Sequence, residues 1–105
     1  MKILFDQGTP VPLRDALVNH TVETAYERGW SNLSNGELLA VAEASSFDVF
    51  ITTDQNLRNQ QNLSNRPLAI IVLPTTRWPQ IQRHVGDVVA AVASIGAGEY
   101  LELAW

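Results

Sequence analysis

The sequence predicts an α/β domain, three layers deep, around a mostly parallel five-stranded sheet of order about 2-1-3-4-5. Three observations carry that expectation. Strand-like and helical segments alternate along the chain, the pattern that builds a parallel sheet with helices on both faces. The two strongest strand segments are continuous apolar runs, as expected of strands buried on both sides. Finally, one apolar stripe at helical spacing near the C-terminus has a face to bury. At 105 residues the chain forms a single domain over 1–105; a domain of this size hides roughly 65 % of its unfolded surface.

Residues 2–5 (Lys-Ile-Leu-Phe) form a short apolar strand that ends at Asp6-Gln7-Gly8-Thr9-Pro10, a cluster of turn formers. Leu13, Ala16 and Leu17 recur at helical spacing, so a first helix is expected from about residue 10 to 18. Pro10 and Pro12 are tolerated in its first turn, where a backbone amide has no partner. His20–Ala25 reads as a second strand. Ser34 followed three positions later by Glu37 is a capping box that opens an Ala/Leu-rich helix, fading by Ser45-Ser46. Asp48–Thr53 is the clearest strand. Asp54 then opens a polar stretch to Asn65, expected to hold one short helix and a loop. Leu68–Leu73 is another buried strand, stopped by Pro74. From Trp78 to Ile95, residues Ile81, Val85, Val88, Val89 and Val92 trace one helical stripe, ended by Gly96 and Gly98. Glu99–Leu103 alternates like a closing edge strand.

Composition narrows the function classes. A net charge of −4 argues against a broad phosphate-binding surface, so contact with nucleic acid must be local or aided by cations. With no cysteine, thiolate catalysis, disulfides and Cys-type zinc sites are excluded, which fits a cytoplasmic protein. No apolar run approaches the about 20 residues that cross a bilayer, so no membrane association is expected. The N-terminus meets Asp6 too early for a secretory signal.

The topology assigns chemistry to three acids. In a sheet of order 2-1-3-4-5 the first and third strands are neighbours, and their C-terminal ends frame the crevice where ligands bind. Asp6 follows the first strand, Asp54 follows the third, and Glu37 lies in the first turn of a helix starting at the same edge. Short right-handed connections bring the three together. Crowded carboxylates repel, and a hard cation such as Mg²⁺ or Mn²⁺ relieves the repulsion with oxygen ligands. Such an ion activates water and neutralises phosphate charge, so the site suits a metal-dependent phosphodiesterase. Asn56 and Gln7 can add neutral oxygens or orient an outer water.

Each acid also has a simpler explanation. Asp6 can stabilise the turn at Gly8-Thr9, Glu37 can act only in the capping box, and Asp54 can cap the following helix. Asn56 suits a turn. His20 and His84 stand alone, without a Ser, Cys or acid partner at telling spacing. Trp30, Trp78 and Trp105 can stack on bases, but packing in a core or a subunit interface explains them better.

Three segments at these positions resemble a short PIN-like domain, the nuclease fold related to ribonuclease H that occurs in bacterial toxin–antitoxin pairs. Ile3-Leu4-Phe5-Asp6-Gln7 is similar to the family's first strand ending in an acid. Leu33-Ser34-Asn35-Gly36-Glu37-Leu38-Leu39 is similar to its Ser-capped helix with an acid before an aliphatic pair. Phe50-Ile51-Thr52-Thr53-Asp54-Gln55-Asn56-Leu57 is similar to its strand ending in Thr-x-Asp, with a further polar site two residues on. The chain departs from the pattern at Gln7, Asn35 and Asn56, where short members often carry acids.

The resemblance implies an endoribonuclease in which Asp6, Glu37 and Asp54 hold Mg or Mn, with Asn56 at a fourth ligand position. Cleavage would leave 5′-phosphate and 3′-hydroxyl ends. Arg58 and Arg66, flanking the polar run Asn59-Gln60-Gln61-Asn62, are candidate contacts to the RNA backbone, with a solvated loop as the simpler reading of that run. The implied partners are RNA and a small antitoxin-like protein.

Two enzyme classes are set aside. A receiver domain also places acids after its first and third strands, but it needs an early acidic pair and a late lysine, and Lys2 is the sole lysine here. A haloacid-dehalogenase-like phosphatase needs a second Asp where Gly8 stands. The alternative of a different class is a PIN-like binding module with little or no catalysis. It would act through a protein partner or a homodimer, using the apolar last helix and Trp105.

Overall fold

A computed structural model describes residues 1–60, 63 and 66–105. Its five strands are β1 (Lys2–Phe5), β2 (Thr21–Thr24), β3 (Val49–Thr52), β4 (Ala69–Val72) and β5 (Tyr100–Glu102). They form one sheet of order β2-β1-β3-β4-β5 in which every pairing is parallel. The expected strand order is therefore observed, and the sheet is parallel throughout rather than mostly so.

Alternation along the strands sorts the core into two faces. Ile3, Phe5, Val49, Ile51, Ala69 and Ile71 point to one side, where they meet Leu13, Leu17, Ile81, Val88, Ala91 and Val92. Leu4, Phe50, Ile70 and Val72 point to the other, against Leu38, Leu39, Ala42 and Leu57. β3 and β4 are buried at every position because helices cover them on both sides, which explains why Thr52 is the sole polar residue in the two strands.

The helices are α1 (Asn35–Ala44), α2 (Leu57–Gln60), α3 (Trp78–Gln82) and α4 (Val85–Ser94). Two helical expectations need correction. Residues Val11–Ala16 form a 3₁₀ turn, not an α-helix. Its bonds from the Leu13 amide to the Pro10 carbonyl and from the Leu17 amide to the Arg14 carbonyl span three residues. Proline at its start removes donors a longer α-helix would use, which favours a short, tight turn.

The single helix expected from Trp78 to Ile95 is two. The chain leaves helical geometry at His84 (φ −124°, ψ 21°), which caps α4. Ile81, Val88 and Val92 are buried as the stripe predicts, but Val89 is 39 % exposed because it lies off that line. His84 also has partners the sequence did not suggest: Asp87 at 3.1 Å and a stacked Trp105 ring with centroids 4.7 Å apart. Trp30 meets the Phe47 ring edge-on, and Trp78 and Trp105 pack against the core, so all three tryptophans have packing roles.

Among the described residues, no helix is long and apolar enough to cross a membrane. Gln61 and Asn62 of the polar run lie outside the described residues.

Candidate functional site

The carboxyl edge of the sheet is where β1 and β3 release their chains. Asp6 continues the ladder one step beyond β1, its amide donating to the Ile51 carbonyl at 3.0 Å. That register sets Asp6 beside Thr52, on the face covered by α1 and α2. Thr52 is fully buried. Its hydroxyl donates to Asp6 Oδ2 at 2.5 Å and accepts the Asp54 amide at 3.1 Å. One hydroxyl therefore ties the two acids' segments together.

The loops around it are fitted closely. The Thr9 hydroxyl donates to the Ile51 carbonyl at 2.9 Å, anchoring the turn after β1 onto β3. A Cβ on Gly8 would stand 2.7 Å from Thr53 Oγ1, so the two loops meet closely and a side chain there would force Thr53 to shift. The Gln7 amide donates to Asp6 Oδ1 at 2.6 Å. Asp54 Oδ1 accepts the Asn56 amide at 2.9 Å and Oδ2 accepts Asn35 Nδ2 at 2.9 Å. Asn35 opens α1, so the helix start and the end of β3 are joined through Asp54. Each carboxylate oxygen has a protein donor and, with two lone pairs apiece, retains capacity to accept another partner.

Glu37 is placed differently. Its Oε1 accepts the Ser34 amide at 3.0 Å while the Ser34 hydroxyl accepts the Glu37 amide at 3.3 Å, a complete capping box. These bonds from Ser34 hold the Glu37 carboxyl below the usual carboxylate range. Among the described residues, no group of three or more Asp, Glu or His side chains is placed to hold one metal ion. The Thr52 hydroxyl links the Asp6 carboxylate to the Asp54 backbone amide, and the Glu37 carboxylate is turned toward Ser34 at the start of its own helix. Mg²⁺ is commonly held by one or two carboxylates, with waters completing its shell.

Of the other sequence candidates, Asn56 contributes its backbone amide to Asp54 and its side chain is exposed. Arg58 stands on the same side of the sheet, its guanidinium 5.7 Å from the centre of the Tyr100 ring. Arg66 precedes β4 and pairs with Glu43, which lines a cleft at the opposite, amino edge with Met1 and Asp48. It is not brought to the Asp6–Asp54 edge.

Two tyrosines belong to this region and were not singled out from sequence. Tyr100 donates to Glu102 at 2.9 Å. Burial first, then that bond and the charge of Glu102, push its phenol up to about 12; Arg58 opposes the rise and Asp54 adds to it. Tyr26 is 76 % exposed and helps line a cleft of about 460 Å³ that has Asp6 in its wall. Neither tyrosine has a motif around it. Only the strand register and the loop after β2 reveal their neighbours.

No protein-family model, curated protein or solved structure matches the chain.

Proposed function

We propose that this chain is a PIN-like endoribonuclease in which Asp6 and Asp54 hold one Mg²⁺ or Mn²⁺. The observation that carries the proposal is the bridge from the Asp6 carboxylate through Thr52 Oγ1 to the Asp54 backbone amide at the ends of adjacent parallel strands, where α/β sheets bind ligands. When bound, the ion supplies an activated water and neutralises charge on a phosphodiester. Thr52 and Asn35 orient the carboxylates, and Arg58 offers a cation to the RNA backbone on the α2 side. Glu37 acts as a helix cap. The departures at Gln7, Asn35 and Asn56 leave fewer acids than the family pattern, consistent with a single-ion site. A role as the toxin of a toxin–antitoxin pair follows from the same resemblance and predicts copurification with a small helical protein.

One observation favours a second reading. Because Glu37 is committed to Ser34, the chain can equally serve as a PIN-like binding module that acts through a protein partner or a second copy. Calorimetry with Mn²⁺ and a ribonuclease assay separate the readings. The nuclease reading requires heat and cleavage from the wild type and loss of both in Asp6→Asn and Asp54→Asn. Equal residual cleavage by wild type and Asp6→Ala, with no Mn²⁺ heat, leaves the binding module.

A further inference from the structure

The cleft beside Asp6 has a composition that selects its occupant. Besides Asp6 its walls include Gln7, Val11, Arg14, Tyr26 and Glu27, around about 460 Å³. That volume lies within the range of roughly 300–1,000 Å³ typical of small-molecule pockets. Tyr26 and Val11 are 76 % and 53 % exposed, so an aromatic ring and an aliphatic side chain stand in the wall with little of the protein covering them.

The charges in the wall argue against an anion. Arg14 spends both terminal nitrogens on Glu27, at 3.2 and 2.7 Å, while Asp6 adds a further negative charge. The Arg14 bond, followed by the Thr24 amide, holds the Glu27 carboxyl below its ordinary range, so it stays ionised near neutrality. A phosphate would face two carboxylates and one already neutralised guanidinium. An uncharged planar ring with polar edges meets none of that repulsion, and it can stack on Tyr26 and bond to the side-chain amide of exposed Gln7.

We infer that this cleft binds one nucleobase of single-stranded RNA, stacked on Tyr26, with the attached sugar-phosphate left outside the cleft. The inference rests on the ribonuclease reading and adds to it a base subsite on the 3₁₀-turn side of the sheet. Stacking tolerates every base but favours the larger ring, so purines occupy the cleft more tightly than pyrimidines.

The test uses the full chain and fluorescein-labelled RNA hexamers, with Ca²⁺ as the divalent ion, read by anisotropy. A single abasic nucleotide is moved along the hexamer. For the wild type, affinity should fall about tenfold at one abasic position. Tyr26→Ala should lose about the same factor with the intact hexamer and become insensitive to that abasic position. Tyr26→Phe, which keeps the ring, should restore both. Because Tyr26 is so exposed, thermal unfolding of Tyr26→Ala should match the wild type. Wild-type binding that Tyr26→Ala leaves unchanged overturns the base subsite while the nuclease reading stands. A wild type that neither binds the hexamers nor cleaves RNA with Mn²⁺ overturns the nuclease reading, and the subsite with it.

Discussion

Thr52 and Asp6 stand 46 positions apart in the chain, yet the Thr52 hydroxyl donates to Asp6 Oδ2 across 2.5 Å. The same oxygen accepts the Asp54 amide. Thr52→Val keeps the shape of this fully buried side chain and deletes both bonds. Urea unfolding should show a loss of about 1–3 kcal/mol. If Asp6 and Asp54 bind Mn²⁺ as proposed, calorimetry should also show about 10- to 100-fold weaker binding. Thr52→Ser, which retains the hydroxyl, should recover the metal affinity. Identical heats in all three proteins would mean that Thr52 does not organise the acids.

Glu37 offers a sharper division between capping and metal binding. Glu37→Gln preserves an amide oxygen able to accept the Ser34 amide, so Mn²⁺ affinity and helix content should both persist if the residue is only a cap. A collapse of Mn²⁺ heat with unchanged unfolding would make it a ligand instead. Ser34→Ala should cost about 1 kcal/mol by removing the other half of the box.

The same residue carries a pH signature. Ser34 holds the folded-state pKa of Glu37 below its ordinary value of 4.5. A lowered folded value favours the folded state wherever the unfolded carboxyl is ionised. The contribution is therefore present above pH 4.5 and lost as pH falls through the depressed folded value. The stability difference between wild type and Glu37→Gln, measured by urea unfolding from pH 7 downward, should shrink over that acidic window. A difference that stays flat with pH would remove the Ser34 bond as its source.

Tyr100 should titrate late. Burial and the bond to Glu102 raise its phenol to about 12, so an ultraviolet phenolate titration should show a step near there that Tyr100→Phe lacks. A raised folded value stabilises the fold below the unfolded phenol's value of about 10, and that contribution is lost as pH climbs toward the folded one. Relative to Tyr100→Phe, the wild type should lose stability over that alkaline interval.

Gly98 holds φ at +76°, and a Cβ there would stand 2.7 Å from the Arg66 carbonyl oxygen. Gly98→Ala should destabilise the fold by about 1–3 kcal/mol, read by thermal unfolding, through strain where the chain enters β5. Gly86→Ala, with open space around its Cβ and a place inside α4, should be neutral or stabilising.

Local signals were the readable ones. Ser34 and Glu37 are three positions apart, so the capping box is a property of one helical turn and appears in the structure as written. The continuous β-branched and apolar runs of β3 and β4 announce strands covered on both faces. Apolar spacing does not register a residue that leaves helical geometry, so it carries no sign of the 3₁₀ geometry after Pro10 or of the break at His84 between α3 and α4.

By itself the sequence determined the alternation of strands and helices and, through it, a parallel sheet with Asp6 and Asp54 at its carboxyl edge. Those features arise from short-range periodicity and turn chemistry. Only the tertiary structure decided that the Thr52 hydroxyl reaches the Asp6 carboxylate, that Asn35 reaches Asp54, and that Tyr26 and Arg14 share a cleft with Asp6. Such neighbours depend on strand register and on which loops the packed core brings together, and both are settled by contacts between residues far apart in the chain.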